Sequence, residues 1–468
     1  MTPPPTTPRA FRFESLLAGG GWRRDVRLEV DAVGRIVSLC PGSPDAACEQ
    51  VRGWTVPGVP NLHSHAFQRA LAGLAEAPGP DSFWSWREVM YRLAALPGPS
   101  EVEAIALQLY VELLKAGFTC VGEFHYLHHP PSGGRYEDPA EVSRRTVQAA
   151  KRAGIGLVHM PVVYETAGFR GDPLTGSQRR FRLGLDEAMR IREALGDGCQ
   201  GGGCGLGLGL HSVRAVRPET FRRILEDPEA AGTPMHIHVA EQEREVRECK
   251  AHRGARPVEW LLDHAPVDRG WCLVHATHMT AAETLAVANR DAVVGLCPTT
   301  EANLGDGLFP LASFVRAGGR FGIGTDSHVS RSPVEELRLL DYGQRLASRS
   351  RSVPRSVPGK SHAGALAGAG GALLANAWEN GCRALAWDAG TVTEGKRADL
   401  VVLDAGHPAL AGRSGHTVLD SWVFSGTESP VRDVMVGGEW VVRDGRHICE
   451  EEAARGYAAA VRGLGPPE

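Results

Sequence analysis

The ten cysteines include no CxxC pair. Cys40, Cys48, Cys120, Cys199, Cys204, Cys249, Cys272, Cys297, Cys382 and Cys449 are scattered, and only Cys199 and Cys204 fall close together. That pattern argues against a disulfide framework and fits reduced thiols in the cytoplasm. No run of about 18 apolar residues exists, so no membrane-spanning helix is expected. The opening MTPPPTTPRAFRFES lacks the apolar stretch of a signal peptide. A net charge of −4 and a pI of about 6.5 leave no basic excess for nucleic acid and no acidic tail. Lysine is scarce: Lys115, Lys151, Lys250, Lys360 and Lys396 complete the set.

What is present is ample for a core. Of 468 residues, 43% are apolar, enough for one large domain and a smaller one. Residues 1–10 are rich in Pro and Thr and read as disordered. RDVRLEVDAVGRIVSL reads as strands turning at Gly34, and ADLVVLD with VRDVMVGGEWVVRDGRHI reads as hairpins near the other end. The economical arrangement is a small β-sandwich domain built from both termini, residues 1–57 and 386–468.

Residues 58–385 alternate helical patterns with short apolar runs. EVEAIALQLYVELLKAG and SRRTVQAAKRAG are helices with glycine stops; FTCVGEFH, IGLVHMPVVY, GLGLGLH, PMHIHVAE, WCLVHAT, AVVGLCP and FGIGTDSH are strands. Repeated βα units predict an α/β fold, a (β/α)8 TIM-like barrel. The glycine-dense 196–209 segment and the low-complexity 348–371 segment read as loops, the second a mobile one.

Polar residues collect where such a barrel keeps its chemistry, at the C-terminal ends of strands. NLHSH sets His63 and His65 two apart, on one side of a strand. HIHVAE adds His236, His238 and Glu241; LVHATH adds His275 and His278; GTDSH adds Asp326 and His328. A lone HxH is usually a satisfied pair, and a lone strand-end histidine is usually a hydrogen-bonded core residue. TDSH alone could cap a helix. Their order along a barrel pattern favours a metal site: zinc prefers neutral imidazole, accepts carboxylate, and activates water. His63, His65, His238 and Asp326 suit one zinc ion. Glu241 can take a proton from water and pass it to a leaving nitrogen, and His275 can polarise the electrophile. Two-metal sites of this kind usually carry a bridging lysine, and no lysine sits at a suitable strand end, so one metal is expected.

The segments PGVPNLHSHAFQRALAGL, GFTCVGEFHYLHH, GLHSVRAV, HIHVAEQ, LVHATH, LCPTTEANLGDG and GTDSHVS together resemble the formimidoylglutamate deiminase family of the amidohydrolase superfamily. The resemblance runs over nearly the whole chain. It implies hydrolysis of N-formimino-L-glutamate to N-formyl-L-glutamate and ammonia in histidine degradation. It also implies one zinc per subunit on His63, His65, His238 and Asp326, catalytic Glu241, His275 and Asp326, and a homodimer. Substrate would be held by Gln68, Arg87, Tyr126, His211 and Arg214. A dicarboxylate needs fixed donors, and arginine offers a bidentate fork. For Arg87, on a helical stretch with Trp84 and Trp86, a surface ion pair is an equal reading. Tyr126 could equally be packing, Gln68 capping, and His211 structural. His236 reads as core, and His328 as a support for Asp326. Two rivals stand beside this reading. One is a deaminase or chlorohydrolase for a purine or triazine ring, which would want aromatic and amide groups instead of two arginines. The other is a catalytically dead barrel, which would have lost a ligand.

Overall fold

The computed structural model describes residues 9–42, 48–76, 82–199, 202–226, 232–356 and 363–465. Most of the expected N-terminal tail, and parts of the 196–209 and 348–371 segments, lie outside the described residues. Eight parallel strands form the barrel: β1 (Val59–Ser64), β2 (Phe118–His125), β3 (Gly156–Val163), β4 (Leu208–Ser212), β5 (Met235–Val239), β6 (Trp271–His275), β7 (Val293–Leu296) and β8 (Arg320–Ile323). Helices run between them, as parallel strands require. Two helix ends show how the sequence stops them. Gly117 and Gly154 follow Pro99–Ala116 and Glu141–Ala153 with φ of 102° and 76°, and their N–H groups return to the last turn.

β8 meets β1 to close the ring. His63 O accepts from the N–H groups of Thr325 (3.1 Å) and Asp326 (3.0 Å), and His65 N–H donates to Asp326 O (3.1 Å). A glycine permits that approach: a Cβ on Gly324 would lie 2.8 Å from Cβ and O of His63. The glycine-dense stretch adds a short strand, Cys204–Leu206, beside β3 before β4 begins. Cys199 and Cys204 are joined there as a disulfide, which corrects the expectation that all thiols are reduced. The eight other cysteines are free. The described part of the second loop is tied down, with Arg355 Nε 2.5 Å from buried Asp341 and Asn376 Nδ2 donating to Arg355 O at 2.9 Å.

Both termini build the second sheet. Its strands run in the order Arg446–His447, Glu439–Arg443, Val431–Val436, Leu400–Leu403, Glu49–Pro57, Arg9–Ala18, Gly21–Val30 and Ile36–Pro41. All neighbours are antiparallel except Arg9–Ala18 with Glu49–Pro57. The sheet curls on itself: the Phe11 and Trp440 rings lie 5.8 Å apart at 90°, although four strand pairings separate them. Phe13, Leu28, Val51, Val402 and Met435 fill the space between its halves. A helix, Glu450–Leu464, follows these strands, and the strand patterns do not anticipate it. It lies on the barrel, with Lys115 Nζ 2.7 Å from Glu450 Oε2 and Arg152 Nη2 2.7 Å from Glu452 Oε1. Among the described residues, no helix is long and apolar enough to cross a membrane.

The floor of the barrel is apolar. Leu62, Cys120, Val158, Met160, Cys272 and Val274 pack against Cys382, Leu385 and Trp387, which plug the end opposite the strand C-termini. Leu62 occupies room left by glycines on other strands. A Cβ on Gly295 or Gly322 would come within 2.6 Å or 2.5 Å of its methyl groups. Leu62→Ala therefore opens a void that glycines cannot fill. It should lower unfolding stability by about 2–5 kcal/mol, read as a fall in denaturation midpoint with the slope unchanged.

Candidate active site

The HSH segment is shaped by the strand beside it. Pairing of β1 with β2 shifts register between Asn61 and Ser64, an irregularity of the kind that re-aims side chains. Glu123 on β2 pins the chain as it leaves β1. Its Oε1 accepts from Ala66 N–H (2.7 Å) and its Oε2 from the Ser64 hydroxyl (2.7 Å). Burial pushes the Glu123 carboxyl up to about 7. Asn61 receives Thr325 N–H at 3.1 Å and donates to Thr325 Oγ1 at 2.7 Å, which holds the start of the TDSH turn.

Three imidazole nitrogens converge above this frame. His63 Nε2 lies 3.2 Å from His65 Nε2 and 3.0 Å from His238 Nε2, on β5. Asp326 Oδ1 is 3.2 Å from His65 Nε2 and 3.6 Å from His63 Nε2. His65 Nδ1 donates to Phe124 O at 2.9 Å, so its Nε2 presents a lone pair. Burial holds His63 down to about 3 and His238 well below its ordinary value, so both rings are neutral. One proton could satisfy one of these nitrogen contacts but not both. A cation held among the nitrogens and Asp326 satisfies them together, and the donor set is one that zinc accepts. Burial alone would raise Asp326, but its close contacts with His63 and His65 hold it well below the carboxylate range. Cys297 also lies close to His275 and Asp326, but burial raises its thiol and keeps it protonated.

Strained backbone marks the rim. Ala240, His275, Ala276, Asp326 and His328 take φ between 47° and 67°, a region non-glycine residues seldom adopt. After β5, that turn brings Glu241 Oε1 to 3.7 Å from His275 Nε2. His275 Nε2 lies 3.9 Å from Asp326 Oδ2, and its Nδ1 lies 3.2 Å from Glu301 Oε1. Burial disfavours a charged His275, but Glu241, the hydrogen bond to Glu301 and Asp326 outweigh it and push the ring up to about 10. Burial raises Glu241, whose N–H donates to Glu245 Oε2 at 3.0 Å.

The remaining sequence candidates line the same mouth. Gln68, Arg87, Tyr126, His211 and Arg214 border one cavity with His65, His238, Glu241, His275 and Asp326, and His63 is buried beneath. Gln68 Nε2 donates to the Tyr126 hydroxyl at 2.6 Å, leaving its Oε1 buried without a partner among the described residues. Burial, then the neighbouring charge of Arg214, lowers Arg87, whose guanidinium lies 5.0 Å from the Tyr91 ring centre. Trp84's side chain lies outside the described residues. Sequence reasoning missed Trp86, Met90, Tyr91, Tyr164, Phe181 and Leu304 on the cavity wall, and Glu301 behind His275.

Other histidines serve the scaffold. His236 Nε2 donates to Ala384 O (2.9 Å), and His125 and His129 donate to Leu127 O (2.8 Å) and Arg182 O (2.7 Å). The hydrogen bonds of His328 go to Thr325 Oγ1 (2.9 Å) and Ser64 Oγ (3.3 Å), so its support reaches Asp326 through the preceding residue. Lys115 and Lys396 pair with Glu450 and Asp388, away from the mouth.

Comparison with known proteins agrees with this geometry. Residues 54–441 match the model of the amidohydrolase family. The formimidoylglutamate deiminase of Pseudomonas aeruginosa is 49% identical over 453 residues, covering 96% of this chain and 98% of that one. The crystal structure of an amidohydrolase from Brucella melitensis superposes with a TM-score of 0.87 at 42% identity, over 97% of this chain and 99% of its own. An adenosine deaminase from Xanthomonas campestris, solved with bound zinc, shares the fold at a TM-score of 0.80 and 22% identity, over 99% and 98% of the chains.

The nitrogen cluster makes a direct prediction. Protein purified without chelator should carry about one zinc per chain by mass spectrometry. His238→Ala or Asp326→Ala should cut that content at least about tenfold, while Glu301→Gln, behind His275, should retain it. Full zinc content in His238→Ala would remove the cluster from consideration as the metal site.

Proposed function

Because the chain belongs to the amidohydrolase family, we propose that it hydrolyses N-formimino-L-glutamate to N-formyl-L-glutamate and ammonia. The observation that carries this reading is the pair Arg87 and Arg214, half-buried in one mouth beside the imidazole cluster. Their positive charges act on each other across that mouth, which favours a ligand that brings negative charge. A dicarboxylate supplies it; an uncharged purine or triazine does not. The identity with the Pseudomonas aeruginosa deiminase over nearly the full chain supports the same substrate.

His63, His65, His238 and Asp326 would hold one zinc ion, whose Lewis acidity lowers the pKa of a coordinated water. The chain's own residues do the rest. Arg87 and Arg214 bind the carboxylates, with Gln68, Tyr126 and His211 lining the approach. Water adds to the formimino carbon as Glu241 takes its proton. Asp326 orients the attacking oxygen, and His275, held by Glu301, donates toward the developing charge. Glu241 then returns the proton to the terminal nitrogen. The remaining proton, on the hydroxyl now bonded to carbon, passes to the same nitrogen as the carbon–nitrogen bond breaks, so that ammonia leaves and the formyl C=O remains on the glutamate nitrogen. Burial raises Glu241 above the ordinary carboxylate range, which suits a group that must accept a proton and give it back. The same reading places the enzyme in the cytoplasm, in histidine breakdown, as a homodimer with one zinc in each subunit.

The test is ammonia release by zinc-loaded protein from N-formimino-L-glutamate, beside guanine, adenosine derivatives and N-formimino-glycine. Strong release from the glutamate compound alone is expected. Glu241→Gln should lower kcat by about 10²–10⁴ with zinc retained. Preferential deamination of a heterocycle would overturn the assignment of the arginines.

A further inference from the structure

One wall of the mouth carries more hydrogen-bonding capacity than the protein uses. Tyr164 follows β3 and is 1% exposed. Its main chain is clamped both ways to Leu183, with N–H to Leu183 O at 2.9 Å and Leu183 N–H to its own carbonyl at 3.0 Å. Its ring packs on His211 at 4.3 Å between centres and on Phe181 at 5.8 Å, so it has little room to swing. The hydroxyl lies buried beside Arg214 and Tyr91, yet among the described residues neither gives it a well-aligned hydrogen bond, and Nη1 of Arg214 is likewise buried without one. Both residues border the cavity that holds Glu241 and His275. Phenylalanine would pack on His211 and Phe181 equally well. The oxygen adds a buried polar group that Arg214 and Tyr91 approach without a well-aligned bond, which is costly unless something enters the cavity to use it. The proton is available: burial, then Tyr91, pushes Tyr164 up to about 12. Tyr91 itself accepts from Gln178 Nε2 at 3.2 Å.

We propose that Tyr164 is a specificity-determining substrate ligand, donating its hydroxyl proton to the same carboxylate that Arg214 grips. The inference rests on the dicarboxylate reading above. A guanidinium fork engages a carboxylate from one side only. A phenol fixed on a second side of it adds a direction, which rejects groups that cannot accept there.

Tyr164→Phe tests this with two readouts. For N-formimino-L-glutamate, KM should rise about tenfold or more while kcat stays within about twofold. By calorimetry, glutarate, which has both carboxylates and no formimino group, should bind more weakly by a similar factor. In an Arg214→Met background the same change should add little, because the two side chains share one partner. Thermal stability of the ligand-free variant should hold or rise, since an unsatisfied hydroxyl is removed. Unchanged KM and unchanged glutarate affinity would overturn the proposal while leaving the deiminase reading intact. If the unaltered protein fails to hydrolyse N-formimino-L-glutamate but binds glutarate in a Tyr164-dependent way, the reaction assignment falls and this subsite stands.

Discussion

Everything at the mouth depends on the seam where β8 closes onto β1. Three main-chain hydrogen bonds join His63, His65, Thr325 and Asp326, residues far apart in sequence. The seam does two things at once. It completes the barrel, and it presses two histidines and an aspartate to within 3.6 Å of one another. The ligand set proposed for the metal is thereby made from closure of the fold instead of from a flexible loop. Rigid elements hold such geometry better than loops do. The hydrogen bonds of Asn61 and His328 to Thr325 brace the seam from two sides.

Closure gathers charge that burial would otherwise forbid. Glu241, Glu301 and Asp326 crowd His275 on one rim, and all three raise its proton affinity. His275 is the centre of this group. It is charged because three carboxylates face it, although it is 1% exposed. Glu301 serves two neighbours with one oxygen, Oε1, which also accepts Cys297 N–H at 2.9 Å at the start of the next helix. The strained turns at His275 and Asp326 fit this picture, since backbone strain is retained where geometry serves chemistry.

Much of this is legible in the sequence, for a definite reason. Apolar runs that end in His, Asp or Glu are rare, and in a parallel barrel their ends point to one mouth. His63, His65, His238, Glu241, His275 and Asp326 can thus be named without the fold. Tyr164 cannot, because a tyrosine after a strand is by default a half-buried aromatic. Only the folded arrangement shows its hydroxyl without a well-aligned partner among the described residues. Glu301 is hidden by its setting: an acid in the first turn of a helix reads as a cap, and here it is a cap as well as the support of His275. The terminal helix is masked by the hairpins before it. The bond between Cys199 and Cys204 escapes notice because the scatter of the other cysteines sets the expectation for all ten.

The interleaving of the two termini in one sheet has a consequence for how the protein is made. Glu49–Pro57 leaves the ribosome early, but its partner on one side, Leu400–Leu403, is among the later parts translated. Until then one edge of that strand has no mate, and an unpaired apolar edge invites other chains. The last helix then settles beside the first ligand segment. Tyr457 meets Arg69, four residues after His65, and Arg69 is clamped in turn by both oxygens of Glu112. The helix Glu450–Leu464 thus latches the neighbourhood of His65. Removing it would leave that latch open.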